Sequence, residues 1–135
     1  MKKVHKDLQD KSGMELARLI AATALDKKAE NVVALDVRGI SSFTDFFVIM
    51  SGRSTRHVQG LAQAVEEALR HKRVKSAGTE GFNEGHWVLL DFNDVVVHIF
   101  YSETRAFYDL ERLWHDAPRL ALEGDSQSET AEEGE

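Results

Sequence analysis

One stretch constrains this chain more than any other: His86-Trp-Val-Leu-Leu-Asp-Phe-Asn-Asp-Val-Val-Val-His-Ile-Phe100. Two apolar runs flank the polar tetrad Asp91-Phe92-Asn93-Asp94. β-Branched and aromatic residues bounded by Asn and Asp predict a β-hairpin. Asn93 tolerates the positive φ of a tight turn. An even-numbered loop pairs Leu90 with Val95, Leu89 with Val96, Val88 with Val97 and Trp87 with His98. Side chains alternate along a strand. Val88, Leu90, Val95, Val97 and Ile99 then form a core face. Trp87, Leu89, Asp91, Asp94, Val96 and His98 form the other. That second face mixes a large aromatic, aliphatics, acids and a histidine. An odd loop would move His98 away from Trp87.

The remaining segments supply layers for this hairpin. Residues 1–11 read as a polar N-terminal lead, and residues 12–118 as one folded domain. Ser12-Gly-Met-Glu15 has capping-box spacing. Leu16, Leu19, Ile20, Thr23 and Ala24 follow at helical intervals. Val32–Val37 and Phe46–Met50 read as strands, the second apolar on both faces and therefore interior. A long helix is expected over about 55–72, with Val58, Leu61, Ala62, Val65 and Leu69 on its apolar stripe. Residues 74–78 suggest a short edge strand. Ser102 is a candidate cap for a last helix carrying Phe107, Leu110 and Trp114. Pro118 marks the domain end, and residues 119–135 read as a disordered acidic tail. The order αββαβββα implies an α/β (α+β) domain, with helices packed on one mixed sheet of about five strands.

Charge is unevenly placed. Glu123, Asp125, Glu129, Glu132, Glu133 and Glu135 account for the whole excess of 23 acids over 17 basic residues. Residues 1–119 are therefore neutral. A neutral body argues against a broad basic face for phosphate backbones, and no strong direct nucleic-acid binding is expected. It leaves room for a local patch. There is no cysteine, so disulfides and thiolate metal sites are excluded. No apolar run approaches a membrane span. The charged, acid-containing start lacks the features of a secretion signal or transit peptide. A cytoplasmic protein with no membrane association is expected.

Several chemistries can be weighed on the residues. Ser51-Gly-Arg-Ser-Thr-Arg56 lies between a buried strand and a helix start. It could hold an anion, or Ser54 could simply be an N-cap and Gly52 relieve a tight turn. Nucleotidyl transfer needs two acids on one strand to hold Mg²⁺. In residues 1–119 the only acid-x-acid is Asp109-Leu-Glu111, in the last predicted helix, where i and i+2 do not share a face. Asp91 and Asp94 straddle a turn and would make a loose site at best. The six histidines show no metal-ligand spacing, so no metal and no cofactor are expected. Trp87 reads as core or as an interface anchor. Glu80, Glu84, Asp91 and Asp94 nearby favour a basic partner.

Several separated motifs stand out: Thr44-Asp-Phe-Phe-Val-Ile, Ser51-Gly-Arg-Ser-Thr-Arg-His-Val58, Glu80-Gly, Trp87-Val-Leu-Leu-Asp, Asp94-Val-Val-Val-His-Ile and Glu103-Thr-Arg-Ala-Phe-Tyr-Asp-Leu-Glu-Arg-Leu-Trp114. Taken together they resemble the Iojap-like family of ribosomal silencing factors. They cover roughly residues 13–118, with Asn93 where the family often has Gly. The resemblance implies a nucleotidyltransferase-like fold without catalytic acids. It implies a non-enzymatic translation repressor that binds the large ribosomal subunit through ribosomal protein fourteen. Blocking the small subunit sterically would silence ribosomes when nutrients are scarce. The family's partner-contacting tryptophan maps to Trp87. On the reading of the residues, Leu89 and His98 join it, with Asp91, Asp94 and Glu80 facing basic side chains. The protein would be a monomer or weak homodimer. The competing readings are an Mg-dependent nucleotidyltransferase-like enzyme using Asp91, Asp94 and the Ser51–Arg56 turn, and a structural homodimer.

Overall fold

A computed structural model describes residues 2–109, 112 and 114–122, and of residues 2–12 the helical backbone only. The elements follow the expected order: α1 (Lys2–Asp26), β1 (Glu30–Asp36), β2 (Phe46–Gly52), α2 (Thr55–His71), β3 (Gly78–Glu80), β4 (Trp87–Asp91), β5 (Val95–Tyr101) and α3 (Ser102–Tyr108). The five strands form one sheet in the order β1-β2-β5-β4-β3. β2 and β5 run parallel, and the other neighbours are antiparallel. Every residue of β2 is buried, as its two-sided apolar sequence requires.

Helices α1 and α2 cover one face. Ala17, Ile20, Ala21 and Ala24 of α1 meet Val58, Leu61, Ala62, Val65 and Leu69 of α2 over Val48, Val88, Leu90, Val97 and Ile99. Small alanines let α1 lie close to the sheet. At Gly13 a Cβ would stand 3.1 Å from the Phe46 ring. The buried stripe of α1 includes Ile20 and Ala24, while Leu16 and Leu19 lie at its margin. The helix also begins earlier than its capping signal suggests. Ser12 and Glu15 sit within α1, not at its start.

The hairpin register differs from the expected one by two residues. Asp91 pairs with Val96, Leu90 with Val97, Leu89 with His98, Val88 with Ile99 and Trp87 with Phe100. The cause lies in the turn. Phe92 is 4% exposed and belongs to the main core, which draws it out of the loop. The Phe92 N–H donates to the Val95 carbonyl. The Asp94 N–H donates to the Phe92 carbonyl around Asn93 at φ 72, a γ-turn. The Asp91 carboxylate accepts the Asn93 N–H at 2.8 Å. A shift of two leaves every side chain on its expected face. Asp94 is the exception: its Cβ lies beside Gly13 of α1, on the helix-covered side.

Two further elements depart from expectation. The edge strand is β3, residues 78–80, later than the 74–78 segment; Val74 instead packs against the core below α2. Helix α3 stops at Tyr108 because Asp109 adopts a left-handed conformation, φ 49, with its N–H on the Arg105 carbonyl. Trp114 therefore lies outside the helical repeat, and Phe107 is 81% exposed. Ser102 does not cap α3; its hydroxyl donates to the Gly52 carbonyl at 3.0 Å. Leu110 lies outside the described residues. Residues 119–122, placed by their sequence in the tail, pack along β1: the Asp36 N–H donates to the Pro118 carbonyl and the Leu120 N–H to the Ala34 carbonyl. That covers the β1 edge, which would otherwise offer free ladder groups. Residues 123–135 lie outside the described residues.

The turn makes the register testable. Phe92→Ala should cost about 3–5 kcal/mol in urea unfolding, the range for a buried Phe. Asn93→Gly should leave stability equal or slightly raised, because glycine accepts φ 72 without strain. A Phe92→Ala variant as stable as the parent would contradict the core placement.

Candidate functional site

The face opposite α1 and α2 is set by strand register. Residues paired across a sheet share a face. One row runs Glu80, Leu89, His98, Ile49, Val33, and the next holds Trp87 with Phe100. Trp87, Leu89, Asp91 and His98 thus stand together, as their alternation predicts, and Asp94 does not; Glu80 joins them through its pairing with Leu89 in β3. Val33, Leu35, Val37, Phe47, Ile49, Val96 and Phe100 form the buried floor of this side, with Trp87, Leu89 and Trp114 packed at its margin.

Trp87 is held by aromatic neighbours. Its ring lies 4.9 Å from Phe100, 4.8 Å from Tyr108 and 5.9 Å from His98, all tilted. Its indole N–H donates to His98 Nδ1 at 3.1 Å. An indole nitrogen can only donate, so His98 accepts and carries its own proton on Nε2. Burial holds the His98 imidazole down at about 4, which keeps that acceptor available at neutral pH. Phe47 meets His98 edge-on at 5.1 Å and Trp114 at 5.0 Å. The start of β4 is pinned from the other side. Gly81 has φ 79, and a Cβ there would fall 2.1 Å from the Trp87 carbonyl oxygen. Only glycine fits that approach.

The result is a half-buried, rotamer-locked tryptophan whose polar group is already satisfied. Tyr108, 51% exposed, and Phe107 extend the aromatic surface outward. Beside them a shallow groove is lined by His86, Tyr101, Glu103, Thr104, Phe107 and Tyr108. Leu89 is half-buried, and Glu80 is exposed on the open edge strand β3. His98 is buried and accepts the Trp87 indole N–H. Phe100 was recoverable from the same alternation as His98. Tyr108 was not, because its arrival beside Trp87 depends on where α3 docks.

The other candidate chemistries are absorbed by packing. Ser54 caps α2 by accepting the His57 N–H at 3.0 Å. The Ser51 hydroxyl is buried and accepts from Arg105 at 2.9 Å. His57 accepts the Arg53 N–H on Nδ1, and its Nε2 lies 3.0 Å from the Lys27 carbonyl. Asp91 and Asp94 diverge to opposite faces. Among the described residues, no three His, Asp or Glu side chains come together to hold a metal.

The family model described as ribosomal silencing factor during starvation matches residues 10–135. The chain belongs to the ribosomal silencing factor family. It is 44% identical over 113 residues to ribosomal silencing factor RsfS of Halalkalibacterium halodurans, covering 84% of this chain and 97% of that one. A crystal structure of a Chromobacterium violaceum protein superimposes with TM-score 0.74 at 32% identity, covering 82% of this chain and 91% of that one. The mouse protein named mitochondrial assembly of ribosomal large subunit protein 1 is 30% identical over 99 residues, 71% of this chain and 43% of that one. Among the described residues no helix is long and apolar enough to cross a membrane.

The Trp87–His98 bond has a pH signature. Residue 98 titrates near 6.5 in an unfolded chain and near 4 when folded. Between those values the unfolded state binds more protons, so stability falls as pH drops through that window. The loss should reach about 3 kcal/mol near pH 4 and then level off. His98→Gln, which keeps an acceptor for the indole, should lack this component in urea titrations at pH 7 and 4.5. An unchanged pH dependence would show that His98 is not buried in its neutral form.

Proposed function

We propose that this silencing factor binds the large ribosomal subunit through ribosomal protein fourteen at the subunit-joining face, and represses translation by excluding the small subunit. The observation that carries the reading is the state of Trp87. Its ring is rigid, its N–H is satisfied internally, and Leu89, Tyr108 and Phe107 adjoin its exposed side. A partner gains apolar and aromatic contact there without having to satisfy the indole nitrogen. Little side-chain entropy is lost on binding, the property that makes tryptophan an interface anchor. Glu80 and Asp91 on the same face suit a basic partner and would steer its approach. Asp94, turned toward α1, drops out of the contact set, and His98 acts through Trp87. The name of the mouse relative, with its reference to the large ribosomal subunit, supports the choice of partner. No bond is made or broken: affinity and bulk suffice. The protein would act in the cytoplasm without a cofactor, as a monomer or weak homodimer, through residues 12–118, with residues 119–135 dispensable for the contact.

Trp87→Ala should weaken co-sedimentation with purified large subunits by roughly 30- to 1,000-fold, the equivalent of about 2–4 kcal/mol. It should correspondingly restore joining of large and small subunits in the presence of the factor. Tyr108→Ala should give a smaller loss of the same kind. Circular dichroism should show both variants folded. A folded Trp87→Ala protein that still co-sediments normally would refute the anchor.

A further inference from the structure

The basic residues of the neutral body are not evenly spread. Arg70-His-Lys-Arg-Val-Lys75 places four cations and a histidine in six residues, at the end of α2 and in the turn after it. Cations favour a helix C-terminus, but only within the last turn. Arg73 and Lys75 lie beyond it. All five of these side chains are exposed. Glu66 and Glu67, the acids on the last turns of α2, are already engaged. Glu67 takes Arg70 at 3.4 Å and His71 at 3.5 Å. Glu66 accepts the hydroxyls of Thr79 at 3.0 Å and Ser76 at 3.4 Å. Lys72, Arg73 and Lys75 form no ion pair with any described residue.

The turn that presents them is ordered. The Lys72 and Val74 N–H groups both donate to the Leu69 carbonyl, and the Arg73 N–H donates to Arg70. Arg73 sits at φ 64, and Val74 anchors the turn on the main core. The chain then enters β3, with the Ala77 N–H on the Asp91 carbonyl. The turn carrying the cations therefore leads into the edge strand β3 at the Asp91 end of β4. No large apolar side chain is exposed between residues 66 and 80. The patch thus offers charge without an apolar anchor, and phosphate contacts need charge alone.

We propose that Lys72, Arg73 and Lys75 contact the phosphate backbone of structured RNA beside the protein that takes the Trp87 face. This rests on the reading that the partner is a ribonucleoprotein surface. It refines the neutral-body argument: a local patch replaces a broad basic face.

The test compares wild type, the triple variant Lys72→Gln/Arg73→Gln/Lys75→Gln and Trp87→Ala, binding to large subunits from 50 to 300 mM KCl. The triple variant should lose roughly tenfold or more in affinity at the low-salt end, and its slope of log affinity against log salt should fall by about 2–3. Trp87→Ala should weaken binding with its slope unchanged. A second arm uses anisotropy with a labelled RNA hairpin of about 16 base pairs, a length matched to a double-stranded-RNA contact. Wild type should bind it weakly at 50 mM KCl, and the triple variant should not. Wild-type affinity and slope in the triple variant on subunits overturn the proposal, whatever Trp87→Ala does. Loss on subunits with no wild-type binding to the hairpin also overturns it, pointing to an acidic protein. Normal subunit binding by Trp87→Ala alongside a lowered slope in the triple variant would sink the anchor and leave the RNA contact standing. If wild type fails to bind subunits, hairpin binding lost in the triple variant sustains the RNA contact, and absence of hairpin binding ends it.

Discussion

The seven-residue parallel pairing of β2 with β5 holds the rest of the molecule in place. Both strands are buried on both sides, except Tyr101 at the end of β5. Parallel strands need cover on each face, so this pair demands α1 and α2 on one side and an aromatic and aliphatic layer on the other. The pairing also transmits register. Because Ile49 lies opposite His98, and His98 opposite Leu89, the edge residue Glu80 and the β1 residue Val33 fall on one row. A slip of one residue in the centre would move Trp87 to the helix side and abolish the site.

The site itself is a rigid surface more than a cavity. The Trp87–His98 hydrogen bond illustrates how burial serves that end. A buried neutral imidazole is a dependable acceptor, and the indole it fixes presents only carbon outward. Aromatic contacts from Phe100 and Tyr108 remove the remaining freedom. Preorganisation of this kind lowers the entropy lost on association.

Much of this was legible in the chain. The hairpin alternation placed Trp87, Leu89, Asp91 and His98 on one face, and the absence of a strand-borne acid pair left little basis for metal-assisted transfer. The two-residue shift in pairing was not legible. It depends on Phe92 finding room in a core built from α1 and the sheet, and periodicity is blind to an even slip. The early start of α1 was hidden because a capping pattern can also occur inside a helix.

The sequence by itself determined the element order, the two-sided burial of β2, the face that carries Trp87 and the family motifs, because these follow from local periodicity and residue chemistry. Tertiary structure alone decided which of those residues meet. It turned Asp94 toward Gly13 and set Tyr108 against Trp87 through a helix that ends at Tyr108. Such contacts join residues far apart in the chain, and their geometry is settled only when the sheet and helices close on one core.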